Sequence, residues 1–197
     1  MHLSIDPRSN VYQEEFHGEN DIVVIETASS EVMPHSVFQF LEMVSNHVYD
    51  GTIFYRNAQH ILQAGPTDNA ERLHKLESQH PSLAHVAFQE YSPDMPHIKY
   101  TLGFPDRPGG PDFYINMQDN RGLHGPGGQA KHYGDVGDAD PCFATVIQGK
   151  EAIDRVRQSD VEPSGYHDRL VHPVKIQKMI VLDPRLYQPA SRLRKTS

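Results

Sequence analysis

The chain of 197 residues has one cysteine and no tryptophan, and its 26 acidic residues outnumber 18 lysines and arginines. Cys142 alone can form neither an internal disulfide nor a thiolate metal cage. A net charge of −8 with histidine neutral argues against nucleic acid or an anionic membrane surface as partner, because phosphate affinity comes from clustered Lys and Arg. No apolar run approaches the roughly 20 residues of a membrane span. Met1–Asn20 is polar, carries Asp6, Glu14 and Glu15, and shows no stretch of signal-peptide type. No targeting signal is visible, and the chain does not reveal its compartment. Repeats and heptads are absent too. What is left is the size of one domain with some irregular extension.

Fourteen glycines and 15 prolines spread through the chain imply many short elements joined by turns. The β-branched run Ile22-Val23-Val24-Ile25 predicts a buried strand over Asp21–Thr27. Val37, Phe40, Leu41 and Val44 recur at helical spacing, and Pro34 suits a first turn, so a helix is expected over about 34–46. Strands follow at 52–55, 61–64, 100–104, 113–117, 143–147 and 174–182. A short helix is expected over 150–158, with Glu151 and Asp154 early and Arg155 and Arg157 late, as the helix dipole favours. Residues 67–96 read as irregular, with a helical turn near Ala70–Leu76. Asn120–Pro141, with six glycines, reads as a long surface loop. About seven strands and two helices, strand following strand, make a mostly β domain, as in a closed barrel capped at both ends.

Thirteen histidines raise the question of a metal. None falls in His-x-His, His-Glu-x-x-His or knuckle spacing, and no metal site is expected. Asp135, Asp138 and Asp140 miss the spacing of a calcium loop. Gly122, Gly125, Gly127 and Gly128 follow no strand, so they make no phosphate cradle. Cys142 opens a strand and reads as a small core residue. No cofactor is implied.

The informative stretch is Tyr49-Asp50-Gly51-Thr52-Ile53-Phe54-Tyr55-Arg56, followed by Ile61-Leu62-Gln63-Ala64-Gly65. An arginine closes one strand and a glutamine sits near the end of the next. Two readings stand side by side. Either both polar heads emerge together on one sheet face, or Arg56 is an exposed strand end and Gln63 pairs with backbone.

This stretch resembles the cyclophilins, the cyclosporin-binding family of peptidyl-prolyl cis-trans isomerases, whose hallmark is Tyr-Asp-Gly-Thr-x-Phe-x-Arg and then an apolar run into Gln-Gly-Gly. The helix with Pro34 resembles the family's first helix. Phe113-Tyr114-Ile115 resembles its Gln-Phe-Phe-Ile strand, Phe143–Gly149 its Val-Phe-Gly-x-Val-x-x-Gly segment, and Val174–Leu182 its closing strand. The resemblance sets a barrel domain at 21–183 between an N-terminal extension, 1–20, and a C-terminal tail, 184–197.

The resemblance implies a closed eight-stranded antiparallel barrel with a helix over each open end, and isomerisation of X–Pro bonds in a proline-containing peptide or protein. It assigns Arg56 as the catalytic arginine and Gln63 as the substrate-orienting glutamine. Phe113 and Tyr114 match a Phe-Phe pair, with Tyr114 lining the proline pocket. Asp112 stands for a second glutamine, His60 for a pocket phenylalanine and Ile61 for a methionine. Pro105 and Asp106 fall in the segment that contacts the peptide backbone, and Asp140 near the family's active-site histidine. Between Arg56 and Gln63 the chain is one residue short of the family pattern. His60 and Asp112 imply a wetter, more negative pocket in which Asp112 pairs with Arg56 and competes with substrate. The missing tryptophan implies weak cyclosporin binding. The expected activity is therefore weak or narrow isomerisation, the alternative being a degenerate barrel that binds peptide or acts as a scaffold without turnover.

Overall fold

The structure is a computed structural model and describes residues 1–12, 21–86, 89–107, 109–133, 138–163 and 168–182. The C-terminal tail, 184–197, and Asp135 lie outside the described residues. Eight antiparallel strands form one sheet: β1 (His2–Ser4), β2 (Val24–Thr27), β3 (Ile53–Asn57), β4 (Ile61–Gly65), β5 (Thr101–Gly103), β6 (Phe113–Asn116), β7 (Cys142–Gln148) and β8 (Arg169–Lys178). Their order is β1-β8-β3-β4-β6-β5-β7-β2. The expected closed barrel is corrected on one point. The end strands β1 and β2 share no ladder; a single bridge, His2↔Ile22, stands between them. Two backbone bonds of 2.8 Å, between Met1 and Val23 in each direction, complete this seam. The sheet is curled but open there.

The helices are α1 (Pro34–Ser45), α2 (Ala70–Gln79), α3 (Arg121–His124), α4 (Ala130–Tyr133) and α5 (Lys150–Arg157). None of them is long and apolar enough to cross a membrane. Helix α1 starts without a side-chain cap from Met33. Instead the Glu90 carboxylate accepts the His35 and Ser36 amides at 3.0 and 2.8 Å, satisfying orphan donors from a distant segment. Its apolar face sends Phe40 into the core beside Tyr49, Phe113 and Phe143, with ring centroids 5.6, 6.1 and 5.0 Å away. Phe54 and Tyr49 both meet Phe113 edge-on, at 6.0 and 5.2 Å. Helix α5 buries Ala152, Ile153 and Val156 and is pinned to the end of β3 by Asn57, whose amide donates to the Arg157 and Ser159 carbonyls at 3.1 Å.

Four local expectations change. Strand β8 begins at Arg169 rather than Val174, running through Pro173. That proline is tolerated because its stretch faces the irregular register between Phe54 and Arg56, where a ladder bond is already missing. The helical turn near Ala70 is a full helix, capped by the Asn69 side chain accepting from the Arg72 amide at 3.0 Å. The stretch 120–141 is no bare surface loop. It carries α3, α4 and the buried Asn120, His124 and Asp140. Strand β1 lies within the segment set apart as an N-terminal extension.

Candidate active site

Three strands bring the site together by register alone. Arg56 of β3 stands opposite Gln63 of β4, and Gln63 stands opposite Tyr114 of β6. Side chains in such a cross-strand row share one sheet face. Of the two readings of the motif, the structure therefore takes the first: Arg56 Nη1 donates to Gln63 Oε1 at 3.3 Å. Among the described residues no carboxylate ion-pairs with Arg56, and its buried Nε–H finds no partner.

The expected Arg56–Asp112 pair is not there. Asp112 is only 2% exposed and is engaged elsewhere. It accepts from the Thr67 amide at 3.0 Å, from the Thr67 hydroxyl, and from the Tyr55 hydroxyl at 2.5 Å. Enclosed by these bonds, it presents no exposed carboxylate to a pocket, and burial pushes its pKa up against them. Gly65, at φ +149°, makes this possible, since a Cβ there would collide with the Asp112 carboxylate and backbone.

The residues expected around a proline ring divide between the two sides of the sheet. Phe113 points into the barrel core and is fully buried. Ile61, Ala58 and Tyr114 form a separate apolar cluster on the outer side. All three are buried as well; His124 lies against the Tyr114 ring at 4.8 Å and His60 stacks on His124 at 5.4 Å. The expected open hollow beside Tyr114 is thus covered by the chain's own histidines. Pro105 is half-buried and Asp106 exposed, the latter at φ +73°, in the loop that delivers Arg107.

Beneath the row lies a cluster the sequence reading touched only at Asp140. This carboxylate accepts from Arg107 Nε at 2.9 Å and the Tyr114 hydroxyl at 3.3 Å, and meets His124 Nδ1 at 2.6 Å. His97 joins through the Asp140 carbonyl at 3.0 Å and the Tyr114 hydroxyl at 3.3 Å. Tyr55, Thr67, His97, Arg107 and His124 were missed. Only Tyr55 carried a signal, its place beside Arg56 in the motif. Among the described residues no group of three or more His, Cys, Asp or Glu could hold a metal ion. Cys142 is buried beside Pro96, and burial pushes its thiol up to about 12, which leaves it inert at neutral pH.

His97 gives the fold a pH dependence. Burial, and then the facing His124, push it down to about 4 from 6.5, against a smaller opposing pull from Asp140. The unfolded chain therefore takes up a proton that the folded chain refuses. Stability from this residue is full above pH 6.5 and falls as pH drops toward about 4, a loss of roughly 3 kcal/mol. Urea unfolding at pH 7.5 and 4.5 checks it: a His97→Gln variant is expected to lose less stability between the two than the native chain.

The family model for cyclophilin type peptidyl-prolyl cis-trans isomerases matches residues 21–181. No curated protein matches the chain. Among solved structures, the chain is similar to a cyclophilin type peptidyl-prolyl cis-trans isomerase of Cryptosporidium parvum. In the presence of the dipeptide Ala-Pro, that structure shares a TM-score of 0.59 and 13% identity, covering 93% of this chain and 99% of that one. A second structure of it gives 0.59 and 14%, over 84% and 94%. Those likenesses speak for the fold, and the family match spans most of the sheet together with the Arg56–Gln63–Tyr114 row: the chain belongs to the cyclophilin-type peptidyl-prolyl cis-trans isomerase family.

Proposed function

We propose that the chain isomerises X–Pro bonds in proline-containing peptides or proteins, weakly or within a narrow set of sequences, with Arg56 as the catalytic group and Gln63 as the substrate-orienting one. The observation that carries this reading is the Arg56–Gln63 pair, in which the guanidinium is held by a neutral amide and not spent on a carboxylate. Amide resonance sets a barrier of about 20 kcal/mol to rotation about the bond. Twisting it returns the lone pair to the prolyl nitrogen, which can then accept a hydrogen bond that the planar form cannot. A donor placed there binds the twisted state selectively, and that is catalysis without cofactor or covalent intermediate. The Ala58–Ile61–Tyr114 cluster is the seat for the pyrrolidine ring once His60 and His124 yield. Pro105 and Asp106 border the backbone of the peptide.

A second reading, a module that holds a proline-containing peptide without turnover, is favoured by the covered face of Tyr114. Exchange NMR on an X–Pro peptide separates the two, since a binder broadens or shifts the peptide signals without raising the cis–trans exchange rate. Cyclosporin is expected to bind weakly, with no tryptophan in the chain to hold it; a sub-micromolar dissociation constant by calorimetry would contradict this.

A further inference from the structure

The two ends of a glutamine amide have nearly the same shape, so something other than packing must decide which end faces Arg56. In this chain the decision is made one layer down. Asp112, as a carboxylate, can only accept, and it takes the Tyr55 proton at 2.5 Å. With that proton committed, the Tyr55 oxygen is left to accept, and Gln63 Nε2 donates to it at 2.6 Å. A longer bond of 3.4 Å runs from the same nitrogen to Asp112 itself. The amide nitrogen is thereby turned away from the guanidinium and the amide oxygen toward it. Every donor along Arg56, Gln63, Tyr55 and Asp112 points the same way, down to one buried carboxylate. Thr67 anchors that carboxylate with its amide and hydroxyl.

We infer that Tyr55 and Asp112 are positioning residues, which fix the orientation of the Gln63 amide and through it the aim of the Arg56 guanidinium. The inference rests on the isomerase reading above. It moves Asp112 from a substrate contact to a support that substrate never touches. Reversing the amide would set its NH₂ against the guanidinium, donor against donor, and drive Arg56 off the row. Because the half-buried Tyr55 loses only its hydroxyl in Tyr55→Phe, that variant breaks the relay with little effect on packing.

The test is a double-mutant cycle on X–Pro exchange, with the thermal midpoint recorded for every variant. Tyr55→Phe is expected to lower kcat/KM about ten-fold, the scale of one lost hydrogen bond, with peptide affinity and melting temperature unchanged. Asp112→Asn is expected to lower kcat/KM likewise, with some loss of melting temperature because the Thr67 hydroxyl loses its acceptor there. In an Arg56→Ala background, Tyr55→Phe is expected to cost nothing more, since the residues act as one unit. The Gln63 side-chain amide signals in a ¹⁵N spectrum are expected to move in Tyr55→Phe. Native kcat/KM in Tyr55→Phe, or losses that multiply with those of Arg56→Ala, would overturn the relay and leave the isomerase reading standing. A lowered melting temperature at native kcat/KM would show support of the fold only and overturn it as well. If Arg56→Ala is as fast as the native chain, the isomerase reading itself falls, and the relay's catalytic role with it.

Discussion

Arg56→Ala is expected to lower kcat/KM for an X–Pro peptide by about 10²–10³-fold, the usual cost of removing a transition-state hydrogen-bond donor. The loss should fall on kcat and leave peptide affinity nearly unchanged. A planar imide nitrogen has no lone pair to offer, so the guanidinium interacts with it only once the bond has twisted, and a contact made only there does not strengthen ground-state binding. Arg56→Lys is expected to recover part of the rate, because the charge stays while the forked donor geometry is lost. Exchange NMR at several peptide concentrations measures both quantities. An unaltered rate in the alanine variant would leave only the peptide-binding module.

Asp140→Ala is expected to cost about 3–5 kcal/mol of stability, the range for breaking a buried ion pair. The Asp140 side chain is 3% exposed and that of its partner Arg107 is 2% exposed. Removing it takes an acceptor from Arg107, from His124 and from the Tyr114 hydroxyl at one stroke. For a domain of this size the melting temperature should fall by roughly 10 °C, read by calorimetry or urea unfolding. Asp140→Asn, which keeps the shape and one acceptor, should fall by less. A loss under about 1 kcal/mol in the alanine variant would mean that these groups re-pair readily, contrary to the tight packing of rings around them.

The contrast between Arg56 and Asp140 explains how far the sequence could be read. Arg56 and Gln63 are seven residues apart on consecutive strands, so alternation and the turn between them place both on one face. The core helix and most strands were readable for the same reason: their signal is periodic and local. Asp140 draws its partners from residues 97, 107, 114 and 124, on four separate segments, and no spacing rule connects them. A glycine-rich stretch read as surface loop therefore also supplies the interior with Asn120, His124 and Asp140. Asp112 was misplaced by a related route. Its partner Thr67 is held near by the turn after Gly65, whereas the sequence offered a formal charge near an arginine and nothing to say which neighbour would claim it. Glu90 capping α1 from 54 residues away is likewise a product of tertiary folding. The missing ladder between β1 and β2 is equally invisible, because strand propensity does not report whether two end strands meet.

A sheet whose ends touch at one bridge, His2↔Ile22, behaves as a sprung collar and not as a hoop. A hoop must break a ladder before it can widen, and so pushes back on anything larger inside it. A collar yields at its gap, next to an apolar groove of about 560 Å³ between β1, β2 and α1. Extra volume placed behind Ala144 or Ala64 would be taken up by the gap opening, while the wall carrying Arg56, Gln63 and Tyr114, which begins two strands from one lip and ends three strands from the other, keeps its shape.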